Sequence, residues 1–180
     1  NSITAAMVGN DLISGKDALT STPADTDEFL ISDGGILKRI DASLVGRGKV
    51  LQAVTTKFET ETTVTSTSYT STPLAVSITP SATSSKVLIL LGGIIYINTD
   101  QKYYYGTVYR GSTDLSNGAM VITRNNGAGG GTNLSSSLLD SPSTTSSTTN
   151  TYYHKVDSGA TGYLSINDWT STITLLEIGA

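Results

Sequence analysis

Residues 74–97, LAVSITPSATSSKVLILLGGIIYI, decide the fold. In the first seven, Leu74, Val76 and Ile78 point one way while Ala75, Ser77 and Thr79 point the other, which is the period of a half-buried strand. Pro80 closes that strand, and a polar turn follows. Residues 86–97, KVLILLGGIIYI, are apolar at both parities and read as a central strand buried on both sides. The pair Gly92-Gly93 in its middle predicts a bulge or bend. The apolar run over 87–97 is too short to span a bilayer, which needs about 20 residues as a helix.

The same strand signal continues on either side. Residues 50–58 and 62–70 alternate weakly, and 103–110 put Tyr103, Tyr105, Thr107 and Tyr109 on one face. Further strands are expected at 118–124, 152–156, 161–167 and 171–178. Short strands separated by Gly, Asn, Ser and Thr turns, with no amphipathic helix after Gly48, predict an all-β, antiparallel, jelly-roll-like sandwich over residues 49–180. Residues 125–133 and 141–150 are low-complexity segments expected to project as loops.

Residues 1–48 are of a different kind. Ile3, Met7, Val8, Leu12, Ile13 and Leu19 fit neither a helix nor a strand period, so this section reads as extended chain with turns. Within it, 28–32 and 36–40 are short apolar-rich strands around Asp33-Gly34-Gly35, a sequence suited to a tight hairpin turn. Residues 41–45 can add one helical turn with Asp41 as its N-cap. An isolated hairpin is marginal in water. Phe29, Leu30, Ile31, Ile36, Leu37 and Ile40 therefore need an outside surface, and they are the expected oligomer interface. Gly46-Arg47-Gly48 marks the boundary between this connector and the distal domain.

Composition narrows the function. Lys and Arg total 11 against 15 Asp and Glu, a net charge of −4, and no basic run exceeds Lys38-Arg39. That balance argues against nucleic acid and acidic lipid as partners. Charged residues are 14% of the chain, and Ser and Thr together exceed a quarter. Polarity is carried by hydroxyls, and β-branched Thr suits a solvated strand face. With no cysteine, neither a disulfide framework nor a thiolate metal site is possible, so association between chains is one remaining route to stability. A start at Asn1, with no basic and apolar leader pattern, reads as a fragment or processed product.

Few residues suggest chemistry. The glycine-rich run at 125–133 lacks the Gly-Lys-Ser/Thr ending of a phosphate loop and reads as a hairpin loop. His154 is the only histidine, expected beside a turn or on a solvated face, and a histidine zinc site would lack partners. Asp100, Asp114, Asp140, Asp157 and Asp168 fall in expected turns, and turn chemistry accounts for each without a catalytic pair. No enzyme activity, metal or cofactor is therefore expected. The nine tyrosines stand out. Tyr104, Tyr152 and Tyr153 lie beside polar loops and are candidates for receptor contact, because a tyrosine ring combines a flat apolar face with a hydrogen-bonding tip. Trp169 is expected in the core or an interface.

The stretch 18–45, ALTSTPADTDEFLISDGGILKRIDASLV, resembles a segment of tail fibres and related appendage proteins of marine bacteriophages, particularly cyanophages. PADTDEFLISDGG followed by LKRIDAS carries the likeness. From Val50 onward the chain is similar to the C-terminal β-domain of such proteins, with VLQAVTTKFETETTVTSTSYT, SITPSATSSKVLIL, YRGSTDL, LLDSPSTTSSTT and STITLLEI in order. The resemblance implies a homotrimeric virion protein whose distal domain binds host polysaccharide or protein and which contacts other virion structural proteins; the short apolar run leads us to expect no membrane insertion. It brings no catalytic motif and no individual receptor residue. A head fibre or capsid-decorating protein is the alternative, and a polysaccharide depolymerase the more remote one.

Overall fold

A computed structural model of the chain describes residues 26–45, 50–127 and 130–179, together with residues 17, 20, 21, 23 and 24. The readings of residues 1–16 as extended chain and of 46–48 as a boundary fall outside them. The chain divides into two units, Asn1–Arg47 and Gly48–Ala180.

In the first unit β1 (Glu28–Asp33) pairs antiparallel with β2 (Ile36–Asp41) through six matched residue pairs. Gly34 and Gly35 form the two-residue turn at φ +59° and +83°. That backbone favours glycine at both positions and matches the right-handed twist of the strands. Asp27 C=O accepts the Ala42 N–H at 2.7 Å and closes the open end. A 3-10 turn at Ala42–Leu44 follows, and Asp41 precedes it without a side-chain capping bond. Register places Phe29, Ile31, Ile36 and Ile40 on one face and Leu30 and Leu37 on the other. All except Ile40 are exposed, Leu30 and Leu37 by 70% or more. Lys38 pairs with Asp33, and Arg39 with Glu28 at 2.9 Å. These exposed pairs add little to stability.

The second unit is an antiparallel β-sandwich. Its strands are β3 (Val50–Phe58), β4 (Thr62–Val64), β5 (Thr70–Ile78), β6 (Lys86–Ile97), β7 (Tyr103–Arg110), β8 (Thr113–Asp114), β9 (Val121–Arg124), β10 (Gly130–Asp140), β11 (Thr148–Val156), β12 (Gly162–Leu164) and β13 (Ser171–Ile178). The first sheet runs β3-β13-β6-β10, with β12 and β4 continuing beside the far half of β6; the second runs β5-β11-β7-β9, with β8 beside the end of β7. Counting the eight principal strands in chain order, the sheets read first-eighth-third-sixth and second-seventh-fourth-fifth. That is a jelly roll of two Greek keys, as the alternation led us to expect.

Leu74, Val76 and Ile78 of β5, Val87, Ile89, Leu91, Ile95 and Ile97 of β6, Val108 of β7, and Ile173 and Leu175 of β13 fill the space between the sheets. Each such side chain contributes roughly 1.5–3 kcal/mol by burial. The expectation that β6 is buried on both faces needs correction, because only its odd-numbered residues turn inward. Leu88 is half-buried and Leu90 exposed on the outer side. There Leu139, Leu88, Leu176 and Ala53 align as a row across β10, β6, β13 and β3.

Gly92-Gly93 marks a fork. Up to Gly92 the neighbour of β6 is β13, and from Ile95 it is β12. Gly93 has φ +149°, and a Cβ there would lie 2.3 Å from the Ser171 Oγ. A side chain would push apart the strands that meet at that point. The loop expected over 125–133 gives way at Gly130 to an 11-residue strand, Gly130–Asp140, in unbroken register with β6. Its serines pair through their backbone, which needs no apolar alternation. Trp169, expected in core or interface, is 56% exposed, just past the 3-10 turn at Ile166–Asp168.

Two buried polar contacts tie the sandwich ends together. Arg110 Nε donates to Asp140 Oδ2 at 2.8 Å, joining β7 of one sheet to β10 of the other. Glu177 is fully buried in line with Ile173 and Leu175, and accepts bonds from the Ser81 N–H, the Ser81 hydroxyl and the Gln52 amide. Burial alone would raise its pKa, but these hydrogen bonds bring it down to about 2.

Candidate functional site

Alternation along β7 and β11 decides what the second sheet presents to each side. Val108 and Val156 sit in the core, so Tyr104 and Gly106 face inward with the first, and Asn150, Tyr152 and His154 with the second. Tyr103, Tyr105, Tyr109, Tyr153 and Lys155 then face outward. Cross-strand partners across this outer face include Tyr105 with Lys155 and, toward β9, Tyr105 with Ile122 and Tyr103 with Arg124.

The outward rings form a continuous strip. Tyr109 and Tyr153 lie with centroids 4.2 Å apart, and Tyr69, just before β5, meets Tyr109 edge-on at 6.4 Å. Tyr103 and Tyr105 stack at 6.0 Å. Lys155 joins the two groups, its Nζ 4.7 Å from the Tyr69 centroid and 5.1 Å from that of Tyr105. At the far end the Arg124 guanidinium lies 5.5 Å over Tyr103. Such cation–ring contacts are attractive because the ring face is electron-rich. All five rings are half-buried, each with a side open to water.

The edge next to this strip is kept irregular. Between Tyr153 and Thr151 the register with β5 slips, and Pro73 sits in the slipped segment without an N–H to donate. Thr72 supplies the missing donor, its hydroxyl bonding the Tyr152 C=O at 2.8 Å. On the other flank, Asp114 organises the turn after β8. It accepts from the Thr107 hydroxyl at 2.8 Å, the Ser116 N–H at 3.1 Å and the Gly118 N–H at 3.1 Å. Asp157 accepts the Tyr103 N–H at 2.9 Å and the Tyr105 hydroxyl at 3.2 Å. Burial, with Asp114 and neighbouring tyrosines adding to it, pushes Tyr69 up to about 12; burial and Asp157 raise Tyr105. Both hydroxyls stay protonated at neutral pH, and that of Tyr105 donates to Asp157.

The structure separates the three tyrosines singled out from sequence. Tyr153 belongs to the outward strip. Tyr104 and Tyr152 are completely buried, which corrects the expectation of receptor contact at either, because both share the parity of core valines. Tyr103, Tyr105, Tyr109 and Tyr69 take their place. His154, expected at a turn or solvated face, is buried as well. Its Nδ1 bonds the Tyr104 hydroxyl at 3.0 Å, and burial lowers its pKa to about 4. It is a neutral core residue at pH 7. The Tyr152 hydroxyl is buried without a hydrogen-bond partner among the described residues. The hairpin residues Phe29, Leu30, Ile31, Ile36, Leu37 and Ile40 form a separate apolar surface on the first unit. Among the described residues no cluster of acidic, histidine or cysteine side chains has metal-site geometry, and no helix is long and apolar enough to cross a membrane.

No family model matches the chain, and none of the curated proteins does. Among solved structures it is similar to infectious bursal disease virus Gt strain, at 9% identity and a TM-score of 0.44, over 82% of this chain and 40% of that one. T=1 particles derived from infectious bursal virus give 7% identity and a TM-score of 0.41 over 82% and 40%. The VP2 subviral particle of infectious bursal disease virus gives 8% and 0.37 over 86% and 43%. The chain spans about 40% of the length of the first of these. Likenesses this distant carry no argument about what the chain does.

Proposed function

We propose that the chain is an adhesive structural module of a virion appendage, whose jelly roll attaches to a host cell surface through the outward tyrosine strip. The observation that carries this reading is the strip itself: Tyr69, Tyr103, Tyr105, Tyr109 and Tyr153 touch one another or a shared lysine on a half-open sheet face, where no core requires them. Aromatic rings in water are costly unless they bind something, and tyrosine is enriched at recognition surfaces for that reason. The likeness of residues 18–45 and of the domain from Val50 to marine phage tail fibres supports the tail fibre as the appendage.

Association between copies is the second part of the proposal. The hairpin exposes apolar residues on both faces, and the row Leu139, Leu88, Leu176 and Ala53 crosses the outer face of the first sheet. Identical chains in closed symmetry supply matching surfaces for both, and the tail-fibre resemblance makes that assembly a homotrimer with a structural role on the virion. Equilibrium sedimentation of the chain tests this, with a trimer expected; a stable monomer overturns the assembly. For attachment, fluorescently labelled protein is expected to adsorb to marine bacterial cells, and the double variant Tyr109→Ala/Tyr153→Ala to lose adsorption while keeping its circular dichroism. Unchanged adsorption by that variant removes the strip from the function.

A further inference from the structure

The charges around the tyrosine strip are unequally satisfied. Beside the strip, Asp157 has one oxygen held by the Tyr103 N–H and the other by the Tyr105 hydroxyl. Asp114 has Oδ1 bonded to Thr107 and Ser116 and Oδ2 to the Gly118 N–H. Both acids are engaged in holding backbone and rings. Among the described residues, the salt bridges involve Lys38, Arg39, Lys57 and Arg110, and neither Lys155 nor Arg124. Lys155 is held between the Tyr69 and Tyr105 rings, and Arg124 lies over Tyr103 beside the Gln101 side chain. The rings fix these two cations in place while leaving their charge unpaired. On a chain of net charge −4 these are two cationic donors on the open side of the strip with no salt-bridge partner among the described residues, and such donors favour a ligand that brings its own anionic groups.

The strip alternates ring pair, cation, ring group, with Arg124 at one end. Half-open apolar rings separated by positive charges match a chain of sugar rings that bears acidic substituents at intervals. A neutral glycan would leave the two cations partly desolvated and unpaired, which is unfavourable.

We propose that the strip, taken above as the attachment surface, binds an acidic polysaccharide, with pyranose rings lying along the water-facing side of the Tyr109–Tyr153 and Tyr103–Tyr105 pairs and carboxylate or sulfate groups meeting Lys155 and Arg124. This specificity rests on the attachment reading and narrows it. Titration of the whole chain with polygalacturonate oligosaccharides, dextran sulfate and unmodified dextran, at low and high salt, tests both. Binding to at least one acidic probe is expected, weakened by roughly tenfold or more in the double variant Lys155→Met/Arg124→Gln and by added salt, which screens exposed charge pairs. Preference for polygalacturonate identifies carboxylate as the recognised group, and preference for dextran sulfate identifies sulfate.

The failures are distinguishable. Dextran bound as tightly as the acidic probes, with Tyr153→Ala abolishing binding, overturns the acidic ligand and leaves the strip as an attachment surface. Acidic binding that survives Lys155→Met/Arg124→Gln unchanged places the anion elsewhere and overturns the proposal. No binding to either acidic probe overturns it too, and cell adsorption that is insensitive to Tyr109→Ala/Tyr153→Ala removes the attachment reading with it. Melting temperature and circular dichroism of each variant separate loss of binding from loss of fold.

Discussion

The two sides of the β7–β11 pair use the same residue types for opposite purposes. Inside, Tyr104 and Tyr152 are enclosed with His154, and outside, Tyr103, Tyr105, Tyr109 and Tyr153 stand half-open with Lys155. Adjacent residues, Tyr104 beside Tyr105 and Tyr152 beside Tyr153, differ only in parity. On the inner side a ring works by filling volume, and its hydroxyl is a burden that must find a partner; Tyr104 finds one in His154, and Tyr152 finds none among the described residues. On the outer side the hydroxyl is free to meet water or a ligand. Residue identity does not determine role here; the pleat does.

The largest expected contrast follows directly. Tyr104→Ala or Tyr152→Ala should cost about 3–5 kcal/mol, the usual penalty for emptying an aromatic-sized volume in a packed core. Tyr153→Ala, one residue away, should cost about 1 kcal/mol or less and instead remove ligand binding. Urea unfolding of the three variants checks this. Equal destabilisation of Tyr152→Ala and Tyr153→Ala would break the distinction between the sides.

The inner side should also respond to acid. His154 is neutral in the fold, with its pKa lowered by burial from 6.5 to about 4. The unfolded chain therefore takes up this proton first. As pH falls through the window from 6.5 to about 4, the unfolded state binds more protons and stability declines, by on the order of 3 kcal/mol when the window has been crossed. Above 6.5 the residue contributes no slope. Glu177 acts in a lower window: its folded pKa is about 2 against 4.5, so its stabilisation is complete above 4.5 and is lost as pH falls toward 2. Stability measured between pH 6.5 and 5 isolates the histidine, and His154→Gln should flatten the curve there. A slope that persists in His154→Gln would assign it to another group.

Close packing of the inner ring gives a smaller effect. A Cβ on Gly106 would lie 1.9 Å from the Tyr152 Oη, so Gly106→Ala must displace that ring, at about 1–3 kcal/mol for overpacking. Gly111, on the turn beyond the same strand, has open space around it. It has φ +58°, so Gly111→Asn, which tolerates that conformation, should be nearly neutral. Thermal melts of the two variants compare them.

The sandwich was legible where alternation was clean. Leu74, Val76 and Ile78 announced β5, and the short strands between polar turns led to a jelly roll before any strand order was visible. The hairpin was legible from Asp33-Gly34-Gly35. The segment at 130–140 was not, since GGTNLSSSLLD lacks an apolar period and is held by the backbone of β6. Partial exposure of β6 was hidden too, because an apolar run does not reveal which parity a sandwich covers. For the site, the parity of Tyr103, Tyr105 and Tyr109 was readable along one strand. What decided inside from outside was Val108 and Val156, two residues whose parity was available but is decisive only once both strands are known to share a sheet. Tyr69 joins the strip through folding alone, since it is distant in sequence from every ring that it approaches.

The finest test of the comparison lies within the outer strip. Tyr109 and Tyr153 are on neighbouring strands with centroids 4.2 Å apart, and Tyr153 pairs directly with Thr107, so their contact is diagonal. Cross-strand aromatic pairs of this kind couple by about 0.5–1.5 kcal/mol. A double-mutant cycle with Tyr109→Ala and Tyr153→Ala should return a coupling of that size in the free chain. In the presence of ligand the apparent coupling should grow, because a sugar stacked across both rings makes each substitution felt through the other. A coupling that is the same with and without ligand would mean that the two rings merely brace the sheet, and the outer side would then differ from the inner only in its exposure to water.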